Sequence, residues 1–204
     1  MKIDIGFGLF VFTLIVTGVL MMTNFAKADE EKSNNAEAIL AAGCFWCIES
    51  DLEKLDGVIE VVSGYTGGHV KNPEYKQVSS GKTGHREAVR VTYDPDTISY
   101  EKILDVFWRS HDPFDGGGQF CDRGFQYSAA IYYKNEEQKR LAEKTKAEAE
   151  KALGQKIVTA IEPASEFYDA ETYHQNYYKK NPIRYKYYRF SCGRDKRTEE
   201  VWGE

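Results

Sequence analysis

The sequence predicts an α+β fold, a two-layer sandwich in which a mixed β-sheet with a ferredoxin-like core carries flanking helices. Candidate strands and helices are interleaved along the 204 residues, but without the regular strand–helix–strand repeat of a parallel sheet. Hydrophobic residues make up 42% of the chain, which is enough for a core and untypical of a disordered protein. The net charge of −5 argues against nucleic-acid binding, which usually needs a basic face.

The first predicted strand and helix enclose the most informative stretch of the sequence. Residues 38–42 form a short apolar run that is followed by Gly43, as expected of a buried strand. Beyond it, Phe45, Ile48 and Leu52 recur at helical spacing until an Asp-Gly pair marks the end of the helix. The prediction is therefore a strand followed at once by a helix whose first turn contains Cys44.

The remaining elements follow from alternation, caps and helix breakers. Strands are predicted at 58–65, 87–93, 125–133 and 156–162, and helices at 100–109, 136–153 and 170–180. Residues 111–124 are predicted as a loop, which contains one proline and four glycines. Loops of this length inside a domain are usually functional or disordered, so this segment is a candidate for function.

The first 28 residues differ from the rest of the chain and predict export. Residues 5–22 carry no charge, and Ala26-Lys27-Ala28 fits the small-x-small site of signal peptidase. We expect a signal peptide at 1–28, a linker at 29–36, a catalytic domain at 37–193 and a C-terminal tail at 194–204. The alternative is an uncleaved membrane anchor at residues 5–22, which would be the protein's contact with a membrane. In both cases we expect an exported domain, periplasmic or secreted.

The two cysteines of the first predicted helix have the placement of a reactive pair. Cys44 lies where free backbone N–H groups and the positive end of the helix dipole favour a thiolate. Cys47 follows one turn later on the same face, close enough for a disulfide after modest adjustment. The alternatives are an inert buried pair, half of a metal site or, in an oxidising compartment, members of two structural disulfides, since the chain has four cysteines.

Further polar side chains stand at predicted strand ends, in loops and among aromatic residues. The candidates are Tyr65, Glu87, Asp122, Tyr127 and His174. Loops carry function more often than other segments, but each of these residues taken singly is better explained as a packing or solvated side chain. Their significance therefore depends on the combination in which they occur.

The combination of motifs resembles the A-type peptide methionine sulfoxide reductases. The matching segments, in the order seen in that family, are Gly43-Cys44-Phe45-Trp46, Gly64-Tyr65-Thr66-Gly67-Gly68, Asn72-Pro73-x-Tyr75, Thr83-Gly84-His85-x-Glu87, Tyr93-Asp94-Pro95, His111-Asp112-Pro113, Asp122-x-Gly124-x-Gln126-Tyr127 and Tyr173-His174-Gln175. The resemblance covers residues 37–193, and its Gly-Cys-Phe-Trp element is highly specific. It implies an α+β sandwich and an enzyme that reduces the S epimer of methionine sulfoxide, in proteins and as the free amino acid.

The resemblance also implies a role for each matched residue. Cys44 would attack the sulfoxide sulfur and become a sulfenic acid. Glu87 would protonate the sulfoxide oxygen, and Tyr65 and Tyr127 would donate hydrogen bonds to the same oxygen. The substrate site would be formed by Phe45 and Trp46, as apolar walls for the S-methyl group, together with Asp122 and His174.

Recycling of such an enzyme requires a second thiol and an outside dithiol reductant, thioredoxin or a thioredoxin-like protein. The candidates for the second thiol are Cys47, Cys192 and Cys121. Reach favours Cys47, because residues one helical turn apart lie about 5–6 Å from each other. Cys121 is the least expected, because moving it would disturb Asp122. The chain departs from the family where Ser128 stands in place of a common arginine.

Two other classes of protein share part of this pattern. A thioredoxin-like dithiol–disulfide oxidoreductase also places Cys-x-x-Cys at the start of a helix, but it would give Glu87 no role. A metal or haem module is disfavoured, because a second Cys-x-x-Cys is missing and Ile48 stands where a c-type haem site needs histidine. We therefore expect a monomeric enzyme that uses no metal and no other cofactor.

Overall fold

The computed structural model of the protein describes Met1 and residues 34–203. Its helices are α1 (Phe45–Leu52), α2 (Tyr75–Ser79), α3 (Tyr100–Arg109), α4 (Glu136–Leu153), α5 (Tyr177–Lys180), α6 (Pro182–Ser191) and α7 (Arg194–Trp202). Its strands are β1 (Ala36–Ala41), β2 (Val58–Thr66), β3 (Arg86–Tyr93), β4 (Gly118–Gln119), β5 (Asp122–Arg123), β6 (Ala130–Tyr133), β7 (Ala160–Pro163) and β8 (Tyr168–Asp169). Apart from Met1, the predicted signal peptide or anchor lies outside the described residues, as does most of the predicted linker. None of the helices in the described part is long and apolar enough to cross a membrane.

The main sheet of the described chain has six strands in the order β7-β6-β1-β3-β2-β8. Neighbouring strands run antiparallel, except that β6 and β7 run parallel. The short strands β4 and β5 form a separate hairpin. A mixed sheet with helices packed against it confirms the predicted α+β class.

Strand β1 lies inside the sheet and is buried on both faces. Ala38 and Leu40 belong to the main core, which also contains the apolar residues of α1, α3 and α4. Ile39 and Ala41 belong to a smaller cluster, because successive side chains of a strand point to opposite faces of the sheet. The end of this buried strand leads directly into α1, so the start of that helix is fixed by the core.

The elements with complete hydrophobic patterns and caps were predicted well. Helix α3 has the predicted limits, and the Ser99 hydroxyl at its N-terminus accepts the Lys102 N–H at 3.2 Å. Helix α4 follows its N-cap Asn135 and ends before Gly154, which has a left-handed φ of 66°. Strands β1, β2 and β3 also match closely, whereas β7 covers only the end of its predicted range of 156–162.

The predicted strand at 125–133 is wrong in its first half. Gly124 has φ 119°, and the residues after it form a short 3-10 helix, Phe125–Tyr127. In this turn the Tyr127 N–H donates to the Gly124 carbonyl at 3.0 Å, which breaks the extended conformation. Strand β6 therefore begins only at Ala130.

The predicted helix at 170–180 is wrong except for its last turn, α5. The Gln175 side chain bonds both the backbone N–H and the carbonyl of Ser63, at 2.9 and 2.8 Å. Asn176 adopts a left-handed φ of 54°. These interactions dock a turn on β2 in place of the predicted helix, so His174 lies in a turn.

The C-terminal segment has more secondary structure than the sequence analysis predicted. Helix α6 begins with Pro182 in its first turn, where a residue without an N–H is well tolerated. Gly193, with φ 68°, separates α6 from α7. The segment 194–204, predicted as a tail, thus contains a helix, and the first residue of that helix, Arg194, is only 2% exposed.

Candidate active site

Cys44 lies between β1 and α1, at the N-cap of the helix. Its carbonyl oxygen accepts the Cys47 N–H at 3.1 Å, and its side chain is buried. The preceding Gly43 has φ 84°, and a Cβ at this position would stand 2.6 Å from the Cβ of Gln119. Only glycine allows this approach, which brings the β4–β5 hairpin against the start of α1.

Cys44 and Cys47 are both free thiols, and their side chains are hydrogen-bonded to each other. Burial raises the pKa of Cys44, and the neighbouring Cys47 raises it further. The hydrogen bond from Cys44 lowers the pKa of Cys47 to about 7. The charges of buried Arg194 and half-buried Arg189 also lower the pKa of Cys47. Cys47 is therefore the more acidic sulfur of the resting pair.

The expectation of a thiolate at Cys44 is wrong for this resting dithiol. The first N–H of α1, that of Phe45, donates to Glu87 Oε2 at 3.1 Å, so the carboxyl takes up a donor that was expected to favour the sulfur. Burial then dominates and keeps the Cys44 thiol protonated.

Glu87 on β3 is the buried acid of the site, with a side chain that is 2% exposed. Burial raises its pKa to about 8, although the hydrogen bond from the Phe45 N–H opposes this shift. The negative charge of Asp122 raises the pKa further. At neutral pH the carboxyl therefore carries a proton that it can donate.

Three tyrosines, Tyr65, Tyr75 and Tyr127, lie close enough to Glu87 for its ionised form to raise their pKa values. Tyr65 stands directly opposite Glu87 in the register of β2 and β3, and the hydroxyls of Tyr75 and Tyr127 are hydrogen-bonded. Burial raises the pKa of all three, to about 12 for Tyr75, so each stays a protonated donor. Tyr75 belonged to a recognised motif, but the sequence analysis gave it no role.

Glu171 anchors two of these tyrosines and was not foreseen. Its Oε2 accepts the Tyr65 hydroxyl at 2.9 Å, and its Oε1 accepts the Tyr75 N–H at 2.7 Å. These partners are 106 and 96 residues away in the sequence. No local pattern singles out this glutamate, so only the fold reveals its function.

Phe45 and Trp46 form an aromatic wall at the start of α1. The Trp46 ring stacks on Tyr177 with centroids 3.6 Å apart and planes within 5°, and its Nε1 donates to His174 Nδ1 at 3.1 Å. The Phe45 ring lies 4.9 Å from the His174 ring. Burial lowers the pKa of His174 to about 4, so the imidazole is neutral and Nδ1 can accept. His174 is thus a positioning residue for this wall.

Tyr188 on α6 reaches Cys44 from the C-terminal part of the chain. Its hydroxyl donates to the Asp122 carboxylate, and its side chain is also hydrogen-bonded to Cys44. Its ring meets Trp46 edge-on, with centroids 5.8 Å apart. No pattern in the sequence predicts a helix in this segment, so Tyr188 was not among the predicted site residues.

The other two cysteines form a disulfide. Cys121 precedes Asp122 in the hairpin, Cys192 follows the last residue of α6, and their Cα atoms are 5.0 Å apart. The bond fastens the end of α6 to the hairpin, close to the contact between Tyr188 and Asp122. Cys192 is therefore already bonded, whereas Cys47 remains a free thiol beside Cys44.

The structure assembles the predicted site residues in one place, with the exception of the bonded Cys192. The residues grouped with Cys44 are Phe45, Trp46, Cys47, Tyr65, Glu87, Asp122, Tyr127 and His174. Within residues 34–203, no three His, Cys, Asp or Glu side chains stand close enough to hold a metal ion. A buried thiol, a protonated acid, an aromatic wall and a second thiol are suited to the reduction of a small, electrophilic sulfur centre.

Comparison with known proteins identifies the family. The family model described as peptide methionine sulfoxide reductase matches residues 36–204. Peptide methionine sulfoxide reductase MsrA 2 of Rhizobium meliloti is 49% identical over 193 residues, which cover 95% of this chain and 93% of that protein. Reduced Mxr1 from Saccharomyces cerevisiae aligns with TM-score 0.70 and 35% identity, over 72% of this chain and 86% of its own. Methionine sulfoxide reductase A of Corynebacterium diphtheriae aligns with TM-score 0.66 and 30% identity, over 75% and 78%. The chain belongs to the A-type peptide methionine sulfoxide reductases, oxidoreductases that reduce methionine sulfoxide to methionine.

Proposed function

We propose that this protein reduces the S epimer of methionine sulfoxide, in proteins and as the free amino acid, with Cys44 as the nucleophile. The observation that carries the proposal is the buried, protonated carboxyl of Glu87 at the helix end that Cys44 caps. The Cys44 sulfur attacks the sulfoxide sulfur while Glu87 protonates the oxygen. The S–O bond of the substrate breaks and the oxygen passes to the Cys44 sulfur, so the substrate sulfur gains two electrons and leaves as methionine, while Cys44 loses two and becomes a sulfenic acid.

The thiol proton of Cys44 must leave as the attack proceeds. Cys47 is hydrogen-bonded to Cys44, and its pKa of about 7 makes it a good acceptor at neutral pH. Glu87 is unsuited to this task in the resting state, because it is itself protonated. Cys47 thus accepts the proton of the Cys44 thiol, and Glu87 donates the proton to the sulfoxide oxygen.

The substrate binds against the aromatic wall in this proposal. Phe45 and Trp46 contact the S-methyl group, since sulfur–aromatic contacts are favourable. Tyr127 donates a hydrogen bond to the sulfoxide oxygen, whereas Tyr65 is held by Glu171 and supports the pocket. Asp122 and His174 shape the site, the former through Tyr188 and the latter through the Trp46 indole.

Cys47 resolves the sulfenic acid in this proposal. Cys47 first gives the proton that it took from Cys44 to the Glu87 carboxylate, which the first step has left ionised. The Cys47 thiolate then attacks the Cys44 sulfur, an S–S bond forms, the S–O bond breaks, and the oxygen takes the proton from Glu87 and leaves as water. Cys47 is the free thiol next to Cys44, whereas Cys121 and Cys192 are bonded to each other. An outside dithiol then reduces the Cys44–Cys47 disulfide. Mxr1 of Saccharomyces cerevisiae has been solved in complex with Trx2, and we propose a thioredoxin-type protein for this role here.

A single turnover without reductant tests the proposal. The protein receives one equivalent of methionine S-sulfoxide, and mass spectrometry then maps its cysteines. We expect one equivalent of methionine and a new Cys44–Cys47 bond, and no methionine from the R epimer as control. A bond between Cys44 and Cys192 would contradict the role of Cys47. Reduction of protein disulfides without any sulfoxide reduction would instead indicate a thioredoxin-like oxidoreductase.

Two further parts of the proposal concern the state of the protein in the cell. We propose export with cleavage after Ala28, on the basis of the apolar stretch and the small-x-small site. N-terminal sequencing from a secreting host should then begin at Asp29, and an intact Met1 on membrane-bound protein would favour the anchor at 5–22. We also propose that the enzyme acts as a monomer, which light scattering of the purified protein tests.

A further inference from the structure

Arg194 is a buried cation beside the dithiol, and the mechanism above does not use it. It is 2% exposed, and its guanidinium donates to the Ala42 carbonyl at 3.2 Å and to the Ser110 carbonyl at 2.5 Å. The guanidinium carbon also lies 4.4 Å from the centroid of the Phe120 ring. A Cβ on Gly43 would stand 3.3 Å from its Nη2, so the charge lies against the residue before the catalytic cysteine.

A buried charge is costly unless an opposite charge compensates it, and two carbonyls and an aromatic ring do so only in part. Arg189 differs in this respect, because its guanidinium makes ion pairs of 2.7 Å with two carboxylates. The charges that act most on Arg194 are those of Cys47 first and Cys44 second. A thiolate in the dithiol is therefore the counter-charge that suits this cation.

We propose that Arg194 is the positioning cation of the resolving step, which holds Cys47 as a thiolate while it attacks the sulfenic acid of Cys44. The inference rests on the proposed function, in which Cys47 is the resolving thiol. Arg194 acts through Cys47 and contacts neither the substrate nor the leaving oxygen. The S–S bond that forms and the S–O bond that breaks are those of the step described above.

The Cys121–Cys192 disulfide supports the placement of this cation. Cys192 lies two residues before Arg194, and Cys121 directly follows Phe120, whose ring faces the guanidinium. The disulfide and the cation–ring contact therefore join the same two segments. The bond thus keeps the start of α7, and the charge on it, against the dithiol.

Other ionisable groups also face Cys47. A test of the proposal has to distinguish their effect on the titration of Cys47 from that of Arg194. These groups are Cys44 and Asp51 on its own helix, Glu87 on β3, and Tyr185, Tyr188 and Arg189 on α6. Arg189 shares its charge with carboxylates, and Tyr185 and Tyr188 have pKa values raised by burial. Arg194 is therefore the cation whose removal should change the titration of Cys47 most directly.

The test compares two substitutions of this residue. Arg194→Gln keeps hydrogen-bond donors for the two carbonyls but loses the charge, whereas Arg194→Lys keeps the charge. The control is Arg197→Met, which removes an arginine of the same helix that pairs with Asp112 at 2.7 Å. Each protein receives one equivalent of methionine S-sulfoxide without reductant. Trapping and mass spectrometry then follow the decay of the sulfenic acid across the pH range of a thiol titration.

We expect Arg194→Gln to raise the midpoint of this pH profile by about one unit, so that resolution at neutral pH slows about fivefold, since only the thiolate attacks. Arg194→Lys should keep the midpoint of the unmodified protein. An unshifted midpoint in Arg194→Gln, or an equal shift in Arg197→Met, overturns the inference. Failure of the proposed function is distinct, because the unmodified protein would then form no Cys44–Cys47 bond.

A second measurement decides the matter if Arg194→Gln does not fold. In Cys44→Ala with Arg194 in place, Cys47 is the remaining thiol, because the other two cysteines are bonded. Cys47 then no longer receives a hydrogen bond from residue 44, so a lowered pKa of Cys47 has to come from the nearby cations. The ultraviolet absorbance of the thiolate should give a midpoint below the ordinary thiol value of about 8.5, and a midpoint at or above that value overturns the inference.

Discussion

The two pairs of cysteines in this protein differ in every respect that governs thiol chemistry. Cys44 and Cys47 lie three residues apart at the start of one buried helix and remain free. Cys121 and Cys192 lie 71 residues apart, on a hairpin and at the end of α6, and form a disulfide. Cys121 is exposed, whereas both members of the free pair are buried.

The comparison shows that the surroundings, and not the residue type, assign the role of each pair. The free pair has a protonated carboxyl and two arginines, one of them buried, as neighbours, so it can exchange protons and attack. The bonded pair joins two segments whose other residues, Tyr188 and Asp122, complete the site. The free pair is therefore suited to the reaction itself, and the bonded pair to holding the segments of the site together.

The largest effect should come from the free pair itself. Cys44→Ser should release no methionine from methionine sulfoxide, because no other sulfur lies at the helix N-cap beside Glu87. Cys47→Ser should still release up to one equivalent and then stop with a sulfenic acid at Cys44. Quenched-flow assay of methionine checks both variants. Release by Cys44→Ser would remove the distinction between the two thiols.

The next effect concerns the acid beside the free pair. Glu87→Gln can still donate a hydrogen bond but has no proton to give, so methionine release should slow on the order of 100-fold or more. In the unmodified protein the carboxyl is protonated below its pKa of about 8, so release should fall as pH rises through that value. The variant should lose this descending limb. A single-turnover pH profile that is equal in both proteins would remove Glu87 from the mechanism.

The sequence sufficed for those parts of the site that depend on local patterns. The strand, the helix and the cysteines around Cys44 follow from the spacing of apolar residues, and the family resemblance supplied Glu87 and Tyr127. Their assembly in the structure agrees with that resemblance. The fold class was predictable for a similar reason, because α3 and α4 carry complete caps and apolar stripes.

Contacts between distant segments could not be predicted from the sequence. The pairing of Cys121 with Cys192 is one of several possible arrangements of four cysteines, and spacing cannot choose among them. Tyr188 and Arg194 lie in a segment that is polar and aromatic throughout, so no periodic pattern indicated a docked helix. Glu171 could not be recognised in the sequence, because its partners, on β2 and α2, lie 106 and 96 residues earlier in the chain.

The bonded pair should contribute to stability more than to turnover. The double variant Cys121→Ser, Cys192→Ser lacks the disulfide. Its free energy of unfolding should be lower by about 2–5 kcal/mol, because the bond closes a long loop in the unfolded chain. Urea unfolding under oxidising conditions measures this. Turnover with a dithiol reductant should persist, since Cys47 remains in place. A sulfenic acid that accumulates in a fully folded double variant would instead make Cys192 the resolving thiol.

The smallest effect should come from Tyr188, which connects the two pairs. Tyr188→Phe keeps the ring against Trp46 but removes the hydroxyl that bonds Asp122 and Cys44. The hydrogen bond to the neutral Cys44 thiol is worth about 0.5–1.5 kcal/mol, so methionine release should slow by up to about tenfold. Tyr187→Phe is the matched control, because Tyr187 is 73% exposed and its change should leave the rate as it is.

A double-mutant cycle tests whether the disulfide holds the Tyr188 hydroxyl in place. If it does, Tyr188→Phe should slow release much less when both bonded cysteines are serine, because the hydroxyl has already lost its fixed position. The two changes would then be non-additive by about 0.5 kcal/mol or more, as expected of groups that act together. Single-turnover rates of the four proteins give this coupling directly. Additive effects would mean that packing on Trp46 and Cys44 positions Tyr188 without help from the disulfide, and the bonded pair would then act on stability alone.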